Sequence, residues 1–228
     1  MYIVYDNVSV LSTRMHRAVA MSVKVILCLV LACTYVEALQ TVNGKIKISV
    51  GTTAGCSDTV NFISQQLKEA YDLYKEYLEI EYVPWGRTRF ENGQFTCQFG
   101  VNDCWANRLH RCALNMLRGN QDAQVRYMQC EYAPPFPSFI QGSYVCAREA
   151  GLDLVNLDHC VANVGDELDT RAQAAAAQPM AVINFVPSIV LNDEIDRNRH
   201  NEAFRRLPSL ICFALLDDPN NDITSCQI

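Results

Sequence analysis

The chain predicts an α/β fold whose middle is a helical insertion stapled by disulfides. Three observations carry this reading. A strand–helix–strand pattern fills the first part of the chain after residue 44, cysteines crowd residues 97–178, and strand periodicity returns only near the C-terminus. Lys45-Ile-Lys-Ile-Ser-Val50 alternates at period 2 and is rich in β-branched residues, so it reads as a strand, with Gly51 to Gly55 as a turn. From Ser57 to about Tyr77, Val60, Ile63, Leu67, Ala70, Leu73 and Tyr74 recur at helical spacing. Leu78-Glu-Ile-Glu-Tyr-Val83 alternates again and stops at Pro84. A right-handed crossover makes the two strands parallel, with Cys56 at the strand-to-helix turn.

The insertion, about residues 97–178, reads as helical. Trp105 to Leu117 is its clearest helix and ends near Gly119; Pro134-Pro-Phe-Pro137 breaks the chain, and Ala174 to Ala177 sit on a further helix. Two closing strands are expected at Val182-Ile-Asn-Phe-Val186 and Ser188-Ile-Val-Leu191, with Asn192-Asp193 as turn residues. A last helix should start near Leu207-Pro208, proline being favoured at the first helical position.

Composition narrows the class. The 228 residues are 50% hydrophobic and 19% charged, too apolar for a disordered chain. A net charge of −6 argues against nucleic acid, which needs a cationic face. Val25 to Val36 is a short apolar run behind Lys24, and Val36-Glu37-Ala38 supplies a small residue before a cut after Ala38. That is the anatomy of a secretory signal peptide, and the run is too short for a spanning helix, which needs roughly 20 apolar residues. Residues 1–38 are therefore read as N-terminal extension and leader, and 39–228 as one domain with no membrane span after cleavage. Met15 or Met21 would each give the leader a more ordinary start. Its removal takes away three cations and two anions, leaving about −7, and also takes Cys28 and Cys33 from the eleven cysteines.

Nine remain: Cys56, Cys97, Cys104, Cys112, Cys130, Cys146, Cys160, Cys212 and Cys226. An oxidising compartment pairs cysteines, and nine cannot all pair within one chain. One is left as a free thiol or as a bridge to another chain. Cys56 is the first candidate for chemistry, because a thiol at a helix N-terminus meets backbone N–H groups and the positive end of the macrodipole. One helical turn later, where dithiol enzymes carry a resolving cysteine, Cys56-Ser57-Asp58-Thr59 has a hydroxyl. Thr59 could hydrogen-bond the sulfur but cannot resolve a mixed disulfide; Asp58 favours the helix end yet opposes a thiolate. The competing reading of Cys56 is an ordinary disulfide partner.

Cys97, Cys104 and Cys112 form a second cluster. Zinc is rejected, since the spacing lacks the short two-cysteine knuckle and the compartment oxidises thiols. No metal or other cofactor is expected. If Cys104 and Cys112 share a helix, eight residues place them about 12 Å apart, beyond the roughly 7 Å a disulfide spans. Both should bond elsewhere, stapling the insertion rather than closing a local loop. Eight cysteines allow on the order of a hundred connectivities, and the spacing leaves that choice open.

The run from Cys97 to Cys112 resembles the signature of the gamma-interferon-inducible lysosomal thiol reductases, Cys-Gln-His-Gly-x2-Glu-Cys-x2-Asn-x4-Cys. Cys97, Gln98, Gly100, Cys104, Asn107 and Cys112 stand in register, while Phe99 replaces His and Asp103 replaces Glu. Val83-Pro84-Trp85-Gly86, the later cysteines and Phe185-Val186-Pro187 follow in matching order. The resemblance implies a thioredoxin-like fold with a helical insertion, and reduction of protein disulfides at acidic, lysosomal pH. It makes Cys56 the nucleophile, puts Thr59 in the place of the resolving cysteine, and makes Pro187 the proline, cis in such folds, that faces the active thiol. Without it, Pro187 would read as a trans proline opening a strand. Relatives reach lysosomes by a glycan tag, whereas the only Asn-x-Ser/Thr acceptor here, Asn7-Val-Ser9, precedes the leader.

Other residues read more plainly. His110 and His159 are taken as surface or supporting residues, His200 as part of a polar loop, and the Lys68-Glu69 and Lys75-Glu76 charges as a solvated face. Two functions compete. One is a thiol-disulfide oxidoreductase, secreted or alternatively lysosomal, in which Cys56 attacks protein disulfides and an external thiol such as glutathione or cysteine releases the product. The other is a secreted binding protein that keeps the fold without catalysis, Cys56 being buried, capped or joined to another chain.

Overall fold

The computed structural model describes residues 38–226, so all of the N-terminal extension and leader except Ala38 lies outside the described residues. Strand β1 (Ile46–Thr52) is central in a three-stranded sheet of order β2-β1-β5. It pairs in parallel with β2 (Leu78–Pro84), from Ile46 opposite Leu78 to Thr52 opposite Pro84. Its other edge pairs antiparallel with β5 (Ser188–Leu191), from Ile48 opposite Leu191 to Gly51 opposite Ser188. The predicted β-α-β unit is therefore present, with each strand a residue or two longer than its alternation.

Its helical connection is segmented. Helix α1 (Ser57–Asn61) runs into a π-helical stretch (Phe62–Leu67), then α2 (Lys68–Tyr74) and a 3-10 turn (Lys75–Tyr77). Phe62, Ile63, Leu67 and Ala70 pack into the core beside Ile46, Ile48 and Val50, while Lys68, Glu69, Lys75 and Glu76 face solvent as expected.

A hairpin precedes the insertion: β3 (Arg89–Glu91) and β4 (Gln94–Thr96), joined by Asn92-Gly93, both at positive φ. Asn-Gly suits a two-residue hairpin turn because both positions need left-handed backbone. Trp85 meets Phe95 edge-on, and the Arg111 guanidinium lies 5.1 Å from the Trp85 ring and 5.5 Å from that of Phe95, pinning the hairpin.

Helix α3 (Val101–Met116) is the axis of the insertion, buried from Ala106 to Leu114 and packed against β2, α5, α7 and α8. The shorter helices around it are α4 (Gln121–Glu131), α5 (Pro137–Gln141), α6 (Val145–Glu149) and α7 (Leu154–Ala162), followed by α8 (Glu167–Val182). Burying Arg108 and Arg111 on α3 requires partners. Arg108 is held by Asp166 and Asp169 and by the carbonyls of Cys160 and Asn163; Arg111 bonds Asp169 and the Pro84 carbonyl. Burial pushes the Asp166 carboxyl up, but the Arg108 guanidinium and two backbone N–H groups outweigh it and hold it below the usual carboxylate range.

Three expectations are corrected. Val182–Val186 is no strand: α8 continues to Val182, and Asn184 turns the chain at a φ of 54° before β5. The helix takes up the start of this run and the left-handed backbone of Asn184 interrupts the rest, so no extended stretch remains to pair. The last helix, α9 (Arg197–Leu216), begins ten residues before Leu207, where Asp196 accepts a hydrogen bond from the Arg199 N–H. It breaks at non-helical Arg206, so Leu207-Pro208 opens its second half. His200 lies not in a polar loop but buried in the first half of α9, its Nδ1 accepting from the Ile189 N–H at 3.3 Å. Burial, aided by Arg197, pushes its imidazole down to about 4.

Candidate active site

Among the described residues eight cysteines pair, as Cys97–Cys104, Cys112–Cys160, Cys130–Cys146 and Cys212–Cys226, and Cys56 is free. Cys104 and Cys112 bond elsewhere, as their helical separation requires. The expectation that neither closes a local loop holds for Cys112, which joins α3 to α7, and fails for Cys104. Cys104 lies in the first turn of α3, so the seven-residue loop back to Cys97 brings the two Cα atoms within 5.4 Å.

Cys56 is the N-cap residue of α1, with extended backbone and 6% exposure. Its Sγ–H donates to the Val186 carbonyl at 3.4 Å, and the Val186–Pro187 bond is cis. The structure thus brings Cys56 to the Val186–Pro187 bond, Val186 lying 130 residues further along the chain. A second cis bond, Pro134–Pro135, lies in the proline-rich break. Thr59 is fully buried below, but its hydroxyl makes no hydrogen bond to the sulfur or to any other described group.

The turn before Cys56 is held from behind by α3. Asp103, fully buried, accepts from the Thr53 hydroxyl at 2.9 Å, the Gly55 N–H at 3.1 Å, the Phe99 N–H at 3.3 Å and the Asn107 amide at 3.0 Å. The Asn107 Oδ1 accepts from the Ala54 N–H at 2.9 Å, and its amide also donates to the Thr53 hydroxyl. Asp103 and Asn107 lie one helical turn apart, so one face of α3 holds the Thr53 hydroxyl and the backbone N–H groups of Ala54 and Gly55 in succession. Sequence reasoning had Asn107 as a signature residue and Asp103 only as a departure; the buried carboxylate in the same signature was the available signal.

Other signature residues divide. Gly100 sits at a φ of 84° at the start of α3, a conformation that favours glycine, whereas Gln98 is exposed. Phe99 packs over the turn: a Cβ on Gly55 would come within 2.5 Å of the Phe99 Cβ and 2.9 Å of the Phe139 Cζ. Gly86, after β2, backs onto Thr53 in the same way. Arg87 donates to the Asn184 side chain and carbonyl, both at 2.7 Å, tying the segment after β2 to the one before Pro187.

The histidines separate too. His159 is exposed; His110 is buried within the insertion, its Nε2 2.9 Å from the Ser138 hydroxyl and 3.7 Å from Glu131. Cavities of about 500 and 510 Å³ lie along β2 and beside the Cys97–Cys104 bond, and Cys56 lines neither. Among the described residues no cluster of three or more metal-ligating side chains occurs, and no helix is long and apolar enough to cross a membrane.

Residues 47–149, which hold β1, the Cys56 turn and the whole Cys97–Cys112 run, match the family described as gamma interferon inducible lysosomal thiol reductase. Over these residues the chain resembles this family. GILT-like protein 1 of Drosophila melanogaster is 25% identical over 202 residues, covering 81% of this chain and 80% of that protein. The gamma-interferon-inducible lysosomal thiol reductase-like protein of Anopheles gambiae is 30% identical over 98 residues, 38% of this chain and 41% of its own length. Among solved structures, the reduced disulfide bond oxidoreductase DsbG of Mycobacterium tuberculosis aligns at a TM-score of 0.50 and 14% identity, covering 78% of this chain and 89% of that one. That likeness concerns the fold, which is thioredoxin-like. The likeness to this family supports thiol–disulfide exchange as the general class of chemistry.

Proposed function

We propose that the protein reduces protein disulfides through Cys56 alone, with an external thiol completing the cycle. The observation that carries this is the state of the cysteines: eight are paired, and the ninth sits at the strand-to-helix turn against Val186 and cis-Pro187. The Cys56 thiolate attacks one sulfur of a substrate disulfide, forming a mixed disulfide and expelling the other sulfur as thiolate. A small thiol, glutathione or cysteine, then attacks the mixed disulfide and regenerates the Cys56 thiolate. A second equivalent frees the substrate's remaining thiol and leaves the small thiol as its own disulfide. Asp103 and Asn107 hold the turn that presents the sulfur. No prosthetic group enters the cycle.

The leader read at residues 1–38 supports delivery to the secretory route. The extracellular space is the proposed destination and the lysosome, named in the relatives' descriptions, the alternative. A second reading, a binding protein without catalysis, is favoured by two observations: Cys56 is only 6% exposed, and Thr59 offers its sulfur no bond. That reading also admits a disulfide from Cys56 to another chain.

The experiment is thiol titration of the native mature protein, followed by a disulfide-reduction assay near pH 5 and pH 7 with excess small thiol. One reactive thiol and loss of activity in Cys56→Ser are expected. Equal activity in that variant would sink the oxidoreductase reading. Thr59→Cys should gain turnover that no longer depends on the external thiol for resolution.

A further inference from the structure

The thiol at Cys56 is recessed while the surface beside it is apolar. Gly55 is enclosed so closely by Phe99 and Phe139 that no side chain fits there. Phe99 packs on this turn and still leaves 39% of its surface open. Val101, two residues on, is 80% exposed, and Ile140, next to Phe139, is 60% exposed. Phe99 lies just before α3, Val101 opens that helix, Phe139 and Ile140 are on α5, and α3 and α5 pack against each other. Asp103 is buried at this turn and occupied by four donors, while the half-exposed Asp58, two residues past Cys56, belongs to the first turn of α1. Exposed apolar side chains scattered singly need no explanation, but a group beside a nucleophile marks a contact surface.

Resting on the proposed function, we infer that Phe99, Val101, Phe139 and Ile140 form a specificity-determining wall that selects cystines in extended chain segments flanked by aliphatic or aromatic residues. The occupant follows from the thiol. Attack on a disulfide needs the sulfurs nearly in line, so the thiol of a residue with 6% exposure is reached by a protruding, flexible segment and not by a cystine on a rigid surface. Cystines are among the most buried residues of folded proteins and so keep apolar company. An unfolded chain therefore presents the combination that this wall fits, whereas carboxylates beside the cystine would lie against apolar side chains that offer them no hydrogen bond.

The test uses two short peptides, each as its symmetrical disulfide, identical except that the cysteine is flanked by Leu and Phe in one and by Glu and Ser in the other. Single-turnover release of peptide thiol on forming the mixed disulfide with Cys56 should be about tenfold faster for the apolar peptide, the discrimination a hydrophobic contact of this size gives. Ile140→Asp, at an exposed position that folding does not depend on, should bring that ratio close to one, as should Phe99→Ser. Phe213→Ser, an exposed aromatic on α9, should leave it unchanged. A chemistry-independent arm measures binding of the Cys-to-Ser peptides to the Cys56→Ser protein by fluorescence polarisation, with the same preference expected. If both peptides react equally and bind equally, the wall is overturned while the thiol chemistry stands. If neither reacts but the apolar peptide binds selectively, the wall stands and the single-cysteine cycle falls. A ratio that survives Ile140→Asp and Phe99→Ser together would also overturn it.

Discussion

Asp103 holds four donors with one carboxylate, and three of them come from the turn before Cys56 and from Phe99. Hydrogen bonds to a charged group contribute about 1.5–3 kcal/mol each, and leaving buried donors unmade costs about as much. Asp103→Ala should therefore lower stability by about 3 kcal/mol in urea unfolding and cut reductase activity at least tenfold by loosening the turn; unchanged values for both would refute the clamp. Thr59 behaves oppositely. Its buried hydroxyl has no partner, so Thr59→Val should be neutral or mildly stabilising by the same measurement. Cys56 was legible from parity and position, since an odd count demanded a leftover and the turn named it. Asp103 was not, because its role depends on a contact between residues 48 to 50 apart that no local pattern encodes.

At the level of elements, the parallel pair β1 and β2 was legible because alternation, a helical connection and Pro84 agree. The hairpin β3–β4 was missed although Asn92-Gly93 between Phe90 and Phe95 is a strong turn signal. Val182–Val186 misled because β-branched composition describes a residue's fit to a sheet, not whether its backbone is extended, and here α8 and the left-handed Asn184 claim the run. His200 misled because its polar sequence neighbours lie on the outer face of α9. Its burial has a measurable consequence. Its folded value near 4 lies below the unfolded 6.5, so the unfolded chain binds the proton first. The stability this group contributes is present above pH 6.5 and is lost as pH falls toward 4, amounting to about 3 kcal/mol. His200→Gln, whose amide oxygen can still accept from the Ile189 N–H, should flatten urea midpoints between pH 7 and pH 4.5; a slope like the wild type's would refute this.

For the whole molecule, the four disulfides differ in what they constrain. Cys112–Cys160 closes a 48-residue separation and Cys97–Cys104 only 7. In the loop-entropy picture the first is worth about 4 kcal/mol and the second about 2. Replacing each pair by alanines should reproduce that order in thermal unfolding, and a reversed order would count against it. The cysteine inventory was legible from the sequence; the pairing was not, since connectivity depends on how α3, α4, α6 and α7 pack. These bridges also meet a conflict set by the chemistry. An enzyme recycled by small thiols works in a solution able to reduce its own frame. Cys112, Cys146 and Cys212 bury one sulfur of three bridges, while Cys97 and Cys104 are both half-exposed. The loop that Cys97–Cys104 closes carries Phe99, which covers Gly55. Under the proposed cycle, rising thiol concentration should thus first drive turnover and then, once this bridge opens, dismantle the proposed wall beside Cys56, setting an upper as well as a lower limit of reductant.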